Sequence, residues 1–146
     1  MRTLFLTLAA ALVFVVPAAA QHAHIGAHAG YQFDANEALV GGQMTLPINS
    51  YLELYPSVDV YLVDVGSLTG FNVDLKYRLT PGARLQLYGG GGLNVLRGNG
   101  ASNTGWDLFA GLESRRAIVH PYVEARWLFH TGSVFQANAG LNFTLF

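Results

Sequence analysis

The chain has 146 residues, 51% of them hydrophobic and only 12% charged, with a net charge of −1, 17 glycines and no cysteine. That length holds one domain, and the charged fraction is about half the ~25% of an ordinary soluble domain. With no basic surplus to release counterions, nucleic acid is excluded as a partner, and without cysteine so are disulfide scaffolds, thiolate metal sites and cysteine nucleophiles.

The chain opens with Met1-Arg2-Thr3, a short basic start, followed by an apolar run from Leu4 to Val16. Pro17 then ends any helix, and Ala18-Ala19-Ala20 supplies the small residues of a cleavage site before Gln21. These are the three parts of a secretory signal peptide, and the apolar run is shorter than the ~20 residues that span a bilayer. The expected division is a signal peptide over 1–20 and one domain over 21–146.

From there the hydrophobic pattern has period two, and strands are the regular structure with that side-chain period. Eight segments follow in order: about 23–33, 38–47, 51–62, 70–79, 83–96, 105–114, 119–130 and 134–146. Turn-forming residues separate them, as in Asp34-Ala35-Asn36, Ile48-Asn49-Ser50 and Thr80-Pro81-Gly82. The longest connection expected is Arg97 to Thr104, with a flexible tip at Ser102 and Asn103. All neighbours can be antiparallel hairpins in up-and-down order. Pro56 falls inside the third segment, where a bulge or short break is expected because it has no N–H to donate. Gly89-Gly90-Gly91-Gly92 lacks the Lys-Ser/Thr of a phosphate loop and reads as relief of crowding in the fifth strand.

One face of these segments holds 43 positions and no charge. The other holds 40 positions and ten charges: Glu53, Asp59, Asp74, Lys76, Arg78, Arg84, Asp107, Glu113, Glu124 and Arg126. A soluble lipocalin-like barrel in the periplasm would turn the apolar face inward around a ligand, whereas a membrane barrel turns it outward. The placement of aromatics favours the membrane. Tyr31, Phe33, Phe71, Trp106, Trp127, Phe129 and Phe135 lie at the strand ends far from the termini, and Tyr77 and Phe143 at the near ends. Aliphatic and small residues fill the middle. Two aromatic girdles around an apolar belt suit a bilayer, and a ligand cavity gives no reason for them. The charged face would then fill an eight-stranded lumen, with Tyr51, Tyr55, Tyr61, Tyr88, Phe109, Tyr122 and Arg126 as its bulk. A narrow channel is the competing reading of such a lumen.

This pattern resembles the small eight-stranded outer-membrane barrels of the OmpA/OmpX type. The resemblance implies an all-β, up-and-down transmembrane barrel without catalytic site, cofactor or metal, in the outer membrane. It also implies outer-membrane lipid as surroundings, and periplasmic chaperones and the barrel-assembly machinery as partners during biogenesis. Phe146 looks like the terminal aromatic that this machinery recognises, although it is one residue out of phase with Leu141, Phe143 and Leu145. Both termini would face the periplasm.

Two further patterns bear on chemistry. His22, His24 and His28 are the densest group of metal-capable side chains, but His24 and His28 would lie about 13 Å apart along a strand, so lumen filling is the preferred reading. Phe129-His130-Thr131-Gly132-Ser133 is similar to the His-x-Ser signature of outer-membrane lipid A deacylases. Here Gly132 stands where that signature has serine, and no acid follows to orient His130, so the segment reads as a hairpin turn.

Overall fold

The structure, a computed structural model, describes residues 23–145, so the expected signal peptide over 1–20, His22 and Phe146 lie outside the described residues. Eight strands form: β1 (His24–Gln32), β2 (Glu37–Pro47), β3 (Leu52–Leu62), β4 (Leu68–Arg78), β5 (Leu85–Gly98), β6 (Ala101–Ser114), β7 (Val119–Phe129) and β8 (Ser133–Thr144). Each pairs antiparallel with the next, and β1 pairs with β8 to close a barrel. Closure leaves no strand edge within the wall, the condition for placing sheet backbone in lipid.

Alternation sets which way each side chain points. Ile25, Val58, Val60, Val73, Leu75, Leu87, Leu93, Leu108, Val123 and Leu141 are all exposed on the outer wall. Inside are Glu53, Asp59, Asp74, Lys76, Asp107, Glu113, Glu124 and Arg126, together with Gln43, Gln86, Gln136, Asn72, Asn94 and Asn142, all buried. The sense is that of a membrane barrel. An apolar lumen of the lipocalin kind is ruled out, because buried polar and charged side chains outnumber the hydrophobic ones, half of which form one cluster of Tyr55, Tyr88, Phe109 and Tyr122.

The Arg97–Thr104 connection is not a long loop. β5 runs on to Gly98 and β6 begins at Ala101, leaving only Asn99 (φ 50°) and Gly100 (φ 79°) in the turn. Two consecutive left-handed residues make a type I′ hairpin, for which Asn-Gly is the preferred pair. Ser102 and Asn103 are therefore strand residues, paired with Arg97 and Leu96.

At Pro56 the expected break is present without a bulge. Gln43 pairs with Ser57 and Leu46 with Leu54, in the same register on both sides of a gap. On its other side Pro56 stays opposite Val73, and that ladder is continuous. The glycine run makes room for aromatic rings. A β-carbon on Gly90 would meet the Phe109 ring and the Leu75 carbonyl oxygen.

Candidate functional site: the filled lumen

Two charge clusters and one chain of amides and histidines fill the barrel. The first cluster centres on Arg126, whose Nη1 donates to Asp74 Oδ2 (2.8 Å) and Asp107 Oδ2 (2.7 Å) and whose Nε donates to Glu124 Oε1 (3.2 Å). Tyr88 donates its hydroxyl to Glu124 Oε2 at 3.1 Å, and the guanidinium lies 4.7 Å from the centre of the Phe109 ring. One cation thus serves three carboxylates.

The second cluster lies nearer the termini. Lys76 Nζ is 3.0 Å from Glu113 Oε2 and 3.7 Å from Glu53 Oε2. Arg78 pairs with Glu53, and Arg115 Nη2 reaches both Glu53 Oε1 (3.4 Å) and Glu113 Oε2 (3.5 Å). Three cations here serve two carboxylates. The Lys76 ammonium also sits 4.0 Å from the Tyr88 ring centre and 5.1 Å from that of Tyr55, so the aromatic cluster separates the two charge groups while contacting both.

The amide and histidine chain begins where His130 Nε2 meets Asn94 Oδ1 at 2.6 Å. Asn94 donates to Asn72, and Asn72 donates to Ser57 Oγ (2.8 Å) and Asp59 Oδ2 (3.0 Å). His28 lies between Asp59 Oδ1 (2.7 Å from its Nε2) and Gln43 Oε1 (2.6 Å from its Nδ1). Gln43 donates to Asn142 at 2.7 Å, and Asn142 to Glu113 at 3.3 Å, which joins the chain to the second charge cluster. Both nitrogens of His28 lie within hydrogen-bond distance of a side-chain oxygen.

Of the ten charges expected in the lumen, eight are buried and Arg78 is half-buried at the mouth. Arg84 is the exception. It is exposed on the turn before β5. Arg115, which falls in a connection in the sequence pattern, reaches the lumen acids instead. The signal for Arg115 was parity, since it lies two residues beyond Glu113 and keeps the inward phase after β6 has ended. Tyr51 also departs from expectation: it is exposed just before β3 and stacks on Tyr77 with ring centres 6.0 Å apart.

The predicted girdle residues lie on the outer wall. Tyr31, Phe33, Phe71, Tyr77, Trp106, Trp127 and Phe143 are exposed, and Phe129 and Phe135 are half-covered by their neighbours. Trp106 stacks on Phe129 at 4.1 Å, and Phe135 contacts both Trp127 (5.1 Å) and Phe33 (5.5 Å).

The histidines do not converge on one point. His24 packs against the His120 ring at 5.0 Å, while His28 belongs to the Asp59 chain. Among the described residues no three His, Asp or Glu side chains are arranged to hold a metal ion. His130 is bonded to Asn94, and its backbone N–H donates to the Gly132 carbonyl (3.0 Å) in the hairpin turn. Ser133 opens β8 and is exposed, and among the described residues it makes no hydrogen bond to His130, so no nucleophile and base are brought together there.

No family model matches the chain, and no curated protein matches it. Solved structures do. Neisserial surface protein A superposes with a TM-score of 0.62 at 11% identity, over 85% of this chain and 96% of that one. The fold is that of the small outer-membrane barrels. The attachment invasion locus protein of Yersinia pestis gives a TM-score of 0.59 at 13% identity, covering 85% of this chain and 97% of its own. The outer membrane protein OprG of Pseudomonas aeruginosa gives 0.53 at 10%, covering 84% and 93%. The barrel shares its architecture with all three along nearly the full length of each.

Proposed function

We propose that this chain is an integral outer-membrane barrel of structural or interaction type, with a lumen filled by its own side chains and no catalytic role. The observation that carries the reading is the reversal of the usual core. Aliphatic and aromatic side chains face outward, while buried carboxylates, cations and amides lie inside, many of them paired with one another. Water would not tolerate that outer wall, and a bilayer requires it. Under this reading residues 1–20 are removed on export, the termini face the periplasm, and Phe146 is read by the assembly machinery after chaperoned passage. The four far connections are all short, which leaves little surface for adhesion.

Fractionation of the cell envelope tests the reading. Detergent should release the protein as a heat-modifiable species on a gel, while carbonate or high salt should leave it in the membrane. Release of folded protein by carbonate alone overturns the membrane assignment. Steady conductance by the purified monomer in a planar bilayer would overturn the filled lumen, because Tyr55, Tyr88, Phe109 and Tyr122 cross its middle.

A further inference from the structure

The two rims of the barrel carry opposite charge. At the near end, on the side of the termini, Lys76, Arg78, Arg84, Arg115 and Arg116 face only Glu53 and Glu113, a net side-chain charge of +3. At the far rim, the connections and strand starts carry Asp34, Glu37 and Asp64 against Arg97 alone. Most of the near surplus lies outside the lumen. Lys76, Arg78 and Arg115 are engaged by Glu53 and Glu113, whereas Arg84 and Arg116 are exposed and have no carboxylate within salt-bridge distance among the described residues.

These two arginines stand on adjacent turns, with Arg84 held beside Arg115, the residue before Arg116. Leu85 pairs with Ser114, and the Arg115 N–H donates to the Arg84 carbonyl at 2.8 Å, so the β4–β5 and β6–β7 turns are tied side by side. Around them lie exposed Leu79, Leu85, Ile118 and Val119, with the Tyr51–Tyr77 stack at the same end of the barrel. The two turns that carry these arginines therefore stand where the apolar belt stops, at the depth of the phosphates in a bilayer. A guanidinium offers a phosphate two parallel N–H donors.

We propose that Arg84 and Arg116 hold the phosphate of an anionic phospholipid, of the phosphatidylglycerol class, in the leaflet around the near end. The site discriminates by charge: a zwitterionic headgroup brings its own cation to the phosphate and loses the benefit of the surplus. This inference rests on the membrane reading above. An arginine close to an anionic lipid surface contributes a factor of about five in binding, so the pair is expected to give roughly 25-fold.

The test is native mass spectrometry of the full mature chain, released from micelles containing equimolar phosphatidylglycerol and phosphatidylcholine. The wild type should retain phosphatidylglycerol preferentially. R84Q/R116Q should lose most of that preference, and D34N/E37Q at the far rim should keep it. Excess inorganic phosphate should not displace the lipid. Equal retention of both lipids by the wild type, or an unchanged preference in R84Q/R116Q, overturns the proposal. Displacement by inorganic phosphate overturns it in favour of a free-phosphate site. Heat-modifiable migration in phosphatidylcholine alone is scored separately. Its absence counts against the membrane reading, and its presence with no lipid preference counts against this inference only.

Discussion

The two charge clusters of the lumen are built on opposite principles. Around Arg126 a single guanidinium holds Asp74, Asp107 and Glu124, and its side chain is 2% exposed. Around Glu53 and Glu113 three cations share two acids, and Arg115, with a side chain 17% exposed, reaches the mouth. The first arrangement concentrates the cost of failure in one residue, and the second spreads it. Removing one partner of a buried pair leaves an uncompensated charge, and the penalty grows with burial and with the number of groups left behind.

The largest effect is therefore expected at Arg126. R126M strands three carboxylates inside the wall and should cost about 3–5 kcal/mol in unfolding free energy, read by urea titration in lipid vesicles. Adding D74N, D107N and E124Q to R126M should recover much of that loss, because neutral amides no longer need the guanidinium. A milder loss than that of K76M would erase the distinction between the clusters.

K76M comes next. It removes the 3.0 Å bond to Glu113, yet Arg115 remains beside both acids and Arg78 beside Glu53. The expected cost is about 1.5–3 kcal/mol, the range for a hydrogen bond to a charged group. R115Q, at the mouth and within reach of water, should cost about 0–1 kcal/mol in the same titration. A cost for R115Q equal to that for K76M would show that the mouth is as dry as the interior.

How far the lumen was legible from sequence follows from which contacts are local. Period-two alternation places every side chain inside or outside, so the eight strands, the inverted sense and most inward charges could be read directly. Parity could not say where a strand stops. For that reason alternation assigns Arg84 to the inside, although it stands on a turn, and leaves Arg115 in a connection, although it keeps the inward phase. The small polar residues of 97–104 look like a loop, whereas the Asn99-Gly100 pair alone makes the turn. The amide chain was the least visible feature. Gln43 meets Asn142 across 99 positions of sequence, and only the closed register between β1, β2 and β8 brings them together.

The smallest expected effect concerns His130, at the far end of that chain and just outside β7. Partial burial lowers its pKa from the ordinary 6.5. The fold thus favours the neutral ring, and its contribution to stability is present above the ordinary value and lost as pH falls through the lowered one. Proton NMR of the folded barrel in detergent should show His130 titrating below 6.5, and a midpoint above 6.5 would contradict its placement.

The account stands on which face of the wall meets lipid, and the absence of native cysteine allows that to be measured one residue at a time. Single cysteines at Phe71, Val73 and Leu75 of β4, and at Asn72 between them, can be spin-labelled and the chain refolded in vesicles. Collision with oxygen dissolved in the bilayer should be high at 71, 73 and 75 and low at 72, while a water-soluble nickel reagent should reach none of the three outward sites. Nickel access at Val73 and Leu75 comparable to a free label in water would show that the apolar wall faces solvent, and would contradict the account.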